Sequence, residues 1–258
     1  MERFSADLGI RPNEVMAITG TGGKTTLMFC LARQLSKYNK VLATTTTKIM
    51  LPSKNEYDRL YVDIEELKLE EGKFELGLVV AGGPVNSDGK LTSMSDEALQ
   101  NLLPFFDILL IEADGSRMKK LKAWRSNEPV VPSFTSKTIG IIPITALGMR
   151  IDDEHIHNFD SFGEFLSGEK SVTMEVLKRL VLSEDGLFRN SSGERILVLN
   201  QADDDSLHEA AMKLSEMIKL EDTGHLISKH FILSLEAISH GDYSHYTCRR
   251  LWQADERK

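Results

Sequence analysis

The stretch Ile18-Thr19-Gly20-Thr21-Gly22-Gly23-Lys24-Thr25-Thr26 holds the residue types that bind phosphate. Glycines let a backbone approach an anion closely and turn its N–H groups toward it. A lysine directly after them reaches the β- and γ-phosphates of a nucleotide, and the next hydroxyl takes a Mg²⁺ coordination position. The preceding Glu14-Val15-Met16-Ala17-Ile18 reads as a short apolar strand, and residues 27–37 as a helix with Leu27, Leu31 and Leu35 on one face. Strand, glycine-rich turn and helix with Gly-Lys-Thr at its start is the construction of a phosphate-binding P-loop, where the helix N-terminus adds partial positive charge. Gly20, Thr21, Gly22, Gly23, Lys24, Thr25 and Thr26 are therefore expected to hold a nucleotide, with Lys24 also catalytic and Thr25 also on the metal. The pattern G-x-x-x-x-G-K-[ST] would put its first glycine at position 18, where Ile18 stands.

A second group of chemical residues follows the apolar run Asp107-Ile108-Leu109-Leu110-Ile111, which has the unbroken hydrophobicity of a strand covered on both faces. It ends in Glu112-Ala113-Asp114-Gly115-Ser116-Arg117. An acid at the end of such a strand, downstream of a phosphate loop, is the Walker B position. Glu112 and Gly115 have the D-x-x-G spacing of G domains, with Glu for Asp. Glu112 is expected to hold Mg²⁺ through water or to polarise the attacking water, and the Gly115 N–H to sense the γ-phosphate. Asp114 is the other catalytic candidate; the spacing leaves open which acid lies closer to the metal.

Further along, Arg195-Ile196-Leu197-Val198-Leu199 reads as a buried strand ending in Asn200-Gln201-Ala202-Asp203. G domains carry their base-reading Asn-Lys-x-Asp at this chain position. Asn200 and Asp203 are expected to contact the base, with a weak preference for guanine and an affinity lowered by Gln201 in place of lysine. Thr47 and Lys48 end the strand after the glycine-loop helix, where ligands bind in such sheets; they are either ligand contacts or plain strand residues. Lys119, Lys120, Lys122 and Arg125 form a basic cluster, either a solvated face or a site for phosphate or an anionic substrate. His155 and His157 alternate, so a strand would put them on one face. Without further His or Cys at ligand spacing, a polar loop or a partner contact is favoured over a metal site.

The elements that must position these groups follow from hydrophobic patterning. Strands are expected at 40–43, 60–62 (an edge), 78–81, 107–111, 138–143, 195–199 and 231–233. Helices are expected at 5–8, 27–37, 95–103, 172–182 (opened by Ser171 or Thr173) and 207–218. The alternation implies an α/β fold: a P-loop NTPase-like, doubly wound, mainly parallel sheet with helices on both faces. A small helical insertion is expected at about 152–192, inside a single domain spanning 1–258.

At 258 residues and 41% hydrophobic the chain suits such a domain. Its net charge of −8 gives no electrostatic encouragement to bind nucleic acid or an anionic membrane, and neither is an expected partner. Cys30 and Cys248 make neither a disulfide framework nor a zinc motif. No signal-peptide layout and no membrane-spanning apolar run is visible, so a soluble, cytoplasmic protein is expected.

With these pieces placed, the chain resembles the selenium-dependent hydroxylase accessory protein family, the YqeC family. Residues 20–26, 44–48 and 120–122 carry the resemblance, with Leu110-Ile111-Glu112-Ala113-Asp114-Gly115-Ser116-Arg117, Glu128-Pro129-Val130-Val131-Pro132 and Leu199-Asn200-Gln201-Ala202-Asp203. The resemblance implies an accessory role in maturing a selenium-dependent molybdenum hydroxylase, with that enzyme or its maturation factors as partners. It departs at Gln201, where the family has Lys, and at His155-Ile156-His157, where a His-Arg pair is common. The glycine loop also resembles the variant P-loop of Mur-type ligases, and the whole chain, more distantly, the metallocentre-assembly GTPases. Three functions compete: an assembly factor that hydrolyses GTP or ATP with Mg²⁺, an ATP-dependent small-molecule kinase or ligase, and a binding module without turnover.

Overall fold

The computed structural model describes residues 2–70, 72–236 and 247–253. Helix α1 (Glu2–Leu8) leads into β1 (Glu14–Gly20), α2 (Lys24–Leu35) and β2 (Lys40–Thr45). Next come β3 (Lys48–Met50), β4 (Arg59–Tyr61), α3 (Ile64–Leu69), β5 (Gly77–Ala81), β6 (Gly83–Val85), β7 (Lys90–Thr92), α4 (Asp96–Leu102) and β8 (Ile108–Glu112). The second half holds β9 (Leu121–Lys122), β10 (Lys137–Pro143), β11 (Ile156–His157), α5 (Phe159–Phe162), α6 (Met174–Leu182), β12 (Glu194–Asn200), α7 (Asp205–Glu221), β13 (Ile227–Glu236) and β14 (Thr247–Gln253).

Nine strands form one sheet in the order β14-β13-β12-β10-β1-β8-β2-β5-β4. Neighbours run parallel except β13 and β14, which are antiparallel. Parallel strands need crossovers that cover both faces, and the side chains alternate accordingly. Met16, Ile18, Leu110, Ile139, Ile141, Val198 and Phe231 point to one face and pack with Phe4 and Leu8 of α1 and Leu27, Met28 and Leu31 of α2. The opposite face is divided. Leu197, Leu199 and Ile232 meet Leu177 and Leu180 of α6 and Leu214 of α7. Leu42, Val79, Leu109 and Ile111 meet Leu67 of α3 and Leu99 and Leu102 of α4. Each such side chain, fully buried, contributes roughly 1.5–3 kcal/mol. From β1 the chain crosses to β2, returns to β8 between them, and only then moves to β10 on the other side of β1. The order therefore reverses around β1, and the crevice beyond the carboxyl ends of the strands there is where such sheets take ligands.

The strands expected from the apolar runs are present, and the run at 60–62 is indeed an edge strand, β4. Helix starts follow their caps: Ser95 accepts from the Ala98 N–H, Thr173 from the Val176 N–H and Asp204 from the Leu207 N–H. The segment 44–48 differs from a continuous strand. β2 stops at Thr45, whose hydroxyl oxygen accepts from the Thr47 N–H at 3.0 Å, and a new strand starts at Lys48. That strand joins a small antiparallel sheet, β3-β7-β6, which was not expected because three-residue strands carry no readable period. β14 was likewise not expected. Among the described residues, no helix is long and apolar enough to cross a membrane.

Candidate functional site

The site is built where β1 gives way to α2. Gly20 has φ 103° and Gly23 φ 130°, values that L side chains rarely adopt. Space forbids a side chain as well: a Cβ on Gly20 would lie 2.1 Å from the Ile141 carbonyl oxygen, and one on Gly23 2.5 Å from the Asn200 amide nitrogen. Gly23 occupies the N-cap of α2 and supplies no side-chain cap to the first-turn N–H groups of the helix. The loop is fastened from behind. The Asn200 amide donates to the Gly22 carbonyl at 2.8 Å and accepts from the Leu235 N–H at 3.1 Å, and the Thr21 hydroxyl donates to the Lys120 carbonyl at 2.7 Å.

β8 is paired to β1 in the register Ile18↔Glu112, which carries Glu112 to the same end of the sheet as the loop. The Thr25 hydroxyl donates to Glu112 Oε2 at 2.6 Å, and Lys24 Nζ lies 3.9 Å from Glu112 Oε1. Lys24 Nζ also donates to the Gly20 carbonyl at 2.7 Å and sits 3.3 Å from Asp114 Oδ1. Glu112 is 5% exposed. Burial pushes its carboxyl above the ordinary range; Lys24 and the Thr25 hydroxyl oppose this, and the nearby Asp114 charge adds to it.

Asp114 is fully buried and enclosed by donors. It accepts from the Thr19 hydroxyl at 2.9 Å, the Gly20 N–H at 3.1 Å and the Trp124 indole N–H at 2.6 Å, and Lys122 Nζ lies 3.3 Å away. Burial alone would raise this carboxyl, but Lys24, Lys122, Gly20 and Trp124 together hold it below the ordinary range. Lys122, read as part of a basic cluster that is either a solvated face or an anion site, is instead completely buried: its ammonium bridges Asp114, the Gly115 carbonyl (2.7 Å) and Glu128 (3.2 Å), beside the Trp124 ring. The missed signal is the setting Leu121-Lys122-Ala123-Trp124, a single charge inside an apolar run. Lys119 reaches the Asp153 and Ile156 carbonyls, and Lys120 the Thr145 hydroxyl at 2.8 Å.

A cavity of about 470 Å³ opens above this floor. Gly22, Gly23, Lys24, Thr25, Thr26, Glu112, Gly115 and Asn200 line it, so the sequence-predicted groups from three strand ends converge on one space. Lys48 lines it too. Gly20 and Thr21 form the loop beneath, and Asp114 is sealed below them. Asp203 is exposed and is not among the lining residues; its Oδ1 accepts from the Ser234 hydroxyl at 2.5 Å. Gln201, at φ 62°, turns its amide oxygen to the Thr145 hydroxyl and to Lys120. His155 pairs with Asp152 at 2.6 Å. Among the described residues, no group of three or more His, Cys, Asp and Glu side chains is placed to share a metal ion.

The fold and this cavity define an α/β protein whose mostly parallel sheet brings a glycine-rich loop, its lysine and a buried carboxylate to one point. A family model described as "YqeC protein" matches residues 16–160, a span that includes the loop, β8 and the Asp114 cage. The uncharacterized protein YqeC of Escherichia coli (strain K12) is 31% identical over 191 residues, covering 71% of this chain and 74% of its own. The chain belongs to the YqeC family. No solved structure matches it significantly.

Proposed function

We propose that the protein is a P-loop NTPase-like, Mg²⁺-dependent nucleotide-binding protein that hydrolyses GTP or ATP. Its proposed role is that of an accessory factor in the maturation of a selenium-dependent molybdenum hydroxylase. The observation that carries the nucleotide reading is the contact of the Thr25 hydroxyl with Glu112 at 2.6 Å, between the first turn of α2 and the end of β8. Mg²⁺ prefers hard oxygen donors and is usually held by one or two carboxylates with substrate phosphates and waters. One hydroxyl and one buried carboxylate fit that donor set. Bound there, the ion would neutralise developing charge on the transferred phosphoryl group. The loop N–H groups and the start of α2 would cradle the phosphates, and Lys24 would exchange its carboxylate contacts for them. Glu112 would hold the ion or orient the attacking water. Asp114 supports the loop from below by its bonds to Thr19 and Gly20.

The maturation role rests on the family resemblance, and the curated relative's name adds no activity. A second reading, an ATP-dependent small-molecule kinase or ligase, is favoured by one observation: another cavity adjoins the first. Calorimetric titration with Mg-GTP and Mg-ATP tests nucleotide binding. The wild type should bind at least one of them, and Lys24→Ala should weaken that binding by roughly tenfold or more, the loss of a charge-assisted phosphate contact. Unchanged affinity in Lys24→Ala, or no binding by the wild type, rejects the reading.

A further inference from the structure

The second cavity, of about 390 Å³, shares Lys48, Lys90, Gly115 and Arg117 with the first and adds Arg125, Glu128 and His157. Its walls are cationic in a protein whose net charge is −8. Among the described residues, none of Lys48, Lys90, Arg117 and Arg125 forms an ion pair. The single acid is already engaged: Glu128 accepts from Lys122 at 3.2 Å and from Asn158 at 3.4 Å.

The positions of the cations are built into the fold. In the small sheet, Met50 pairs with Lys90 and Lys48 with Thr92, so Lys48 and Lys90 stand diagonally on one face. Ile49 and Leu91 fill the other face and enter the main core. Diagonal like charges repel unless an anion lies between them. Arg117 is held at φ 49° and Met118 at φ 62°, two left-handed residues in succession, a strained backbone that fixes where the Arg117 side chain leaves the loop. His157 lines the same cavity, its imidazole held below the ordinary range by burial and by the neighbouring Lys122.

We propose that this cavity binds a small, multiply charged oxyanion beside the nucleotide, with Lys48, Lys90, Arg117 and Arg125 neutralising it and Gly115 and Arg117 at the border of the two sites. The identity of its neighbour rests on the nucleotide reading; the cationic walls do not.

The test titrates inorganic phosphate, and in a separate arm malonate, into the wild type, Arg125→Ala and Lys24→Ala by calorimetry. Arg125 is exposed and lines only the second cavity, and matched thermal unfolding checks that each variant is folded. At least one anion should bind the wild type at millimolar concentration. Its affinity should fall at least about tenfold in Arg125→Ala, the loss of a charge-assisted contact, and change less than about threefold in Lys24→Ala. Tighter phosphate identifies a tetrahedral oxyanion and tighter malonate a carboxylate. No binding of either anion to the wild type, no loss in Arg125→Ala, or an equal or larger loss in Lys24→Ala overturns the proposal. Mg-nucleotide titration of the same proteins separates the two readings, since a wild type that binds the anion but no nucleotide rejects only the nucleotide site.

Discussion

Glu112 and Asp114 stand two residues apart, both buried, yet the regions around them are opposites. Around Asp114 the protein supplies every partner: a hydroxyl, a backbone N–H, an indole and two ammonium groups. Around Glu112 it supplies one short bond, from Thr25, and leaves the carboxylate on the wall of a cavity. The two environments push the acids apart, Asp114 down and Glu112 up. A carboxylate saturated by its own protein has no lone pair for a ligand; one that burial has made costly to charge gains most from an incoming cation. The difference assigns architecture to Asp114 and, on the proposed reading, chemistry to Glu112.

The largest expected effect lies in the cage. Lys122→Ala takes the shared ammonium from fully buried Asp114, which keeps only Lys24, and from partly exposed Glu128; Asp114→Asn leaves the completely buried Lys122 with Glu128 as its remaining carboxylate. Removing one member of a buried pair typically destabilises by about 3–5 kcal/mol. Urea unfolding monitored by circular dichroism measures it. A loss under about 1 kcal/mol in both variants would mean that the cage is not structural and would break the comparison.

Glu112→Gln makes the same exchange with the opposite sign for stability. Glu112's folded pKa lies above its unfolded value, so its contribution is fully present below the unfolded pKa and fades as pH rises through the folded one. At neutral pH the uncharged glutamine is therefore expected to leave stability unchanged or raise it. Nucleotide turnover should fall by roughly 10²-fold, about 2.7 kcal/mol of barrier. Phosphate release at wild-type rate would move the chemistry to another group. Asp114, with a depressed pKa, contributes stability above its unfolded pKa that is lost as pH falls through the folded one, so acid unfolding should report the cage.

A smaller effect is the pH dependence of metal binding. A carboxylate must lose its proton to hold Mg²⁺. Mg-nucleotide affinity should therefore fall as pH drops below the raised Glu112 pKa, by at most about tenfold per unit for one proton. Glu112→Gln should flatten that slope; an identical slope in the variant would assign the proton elsewhere.

The glycine loop and the end of β8 were legible in the sequence because each joins an unambiguous element to residues of fixed spacing. The main strands were legible for the same reason, as runs of aliphatic residues buried on both faces. What sequence could not give was contact between distant segments. Lys122 reads as one more lysine in a basic stretch until Asp114 and Trp124 are seen around it. Lys48 and Lys90 are 42 positions apart and become neighbours only through the pairing of β3 with β7. The choice between Glu112 and Asp114 depends on which acid the surrounding chain encloses, a property of the fold and not of the motif.

The smallest effect extends the same contrast to the end of β12. Asn200 is buried and fully engaged, its amide tied to Gly22 and Leu235, so it shapes the loop from behind. Asp203, three residues on, is exposed and accepts, among the described residues, from the Ser234 hydroxyl. Reading guanine needs two carboxylate lone pairs aligned with the base edge, and Ser234 competes for them. Gln201 adds no charge to the loop and directs its amide toward Thr145 and Lys120. The guanine preference should therefore stay below about tenfold, near the 1 kcal/mol of a typical net hydrogen bond. Asp203→Ala should abolish it without changing ATP affinity. Ser234→Ala, which frees the carboxylate, should raise the preference for GTP. If the wild type binds GTP and ATP equally and Ser234→Ala leaves them equal, Asp203 does not read the base, and the open side chain at this strand end serves only its turn.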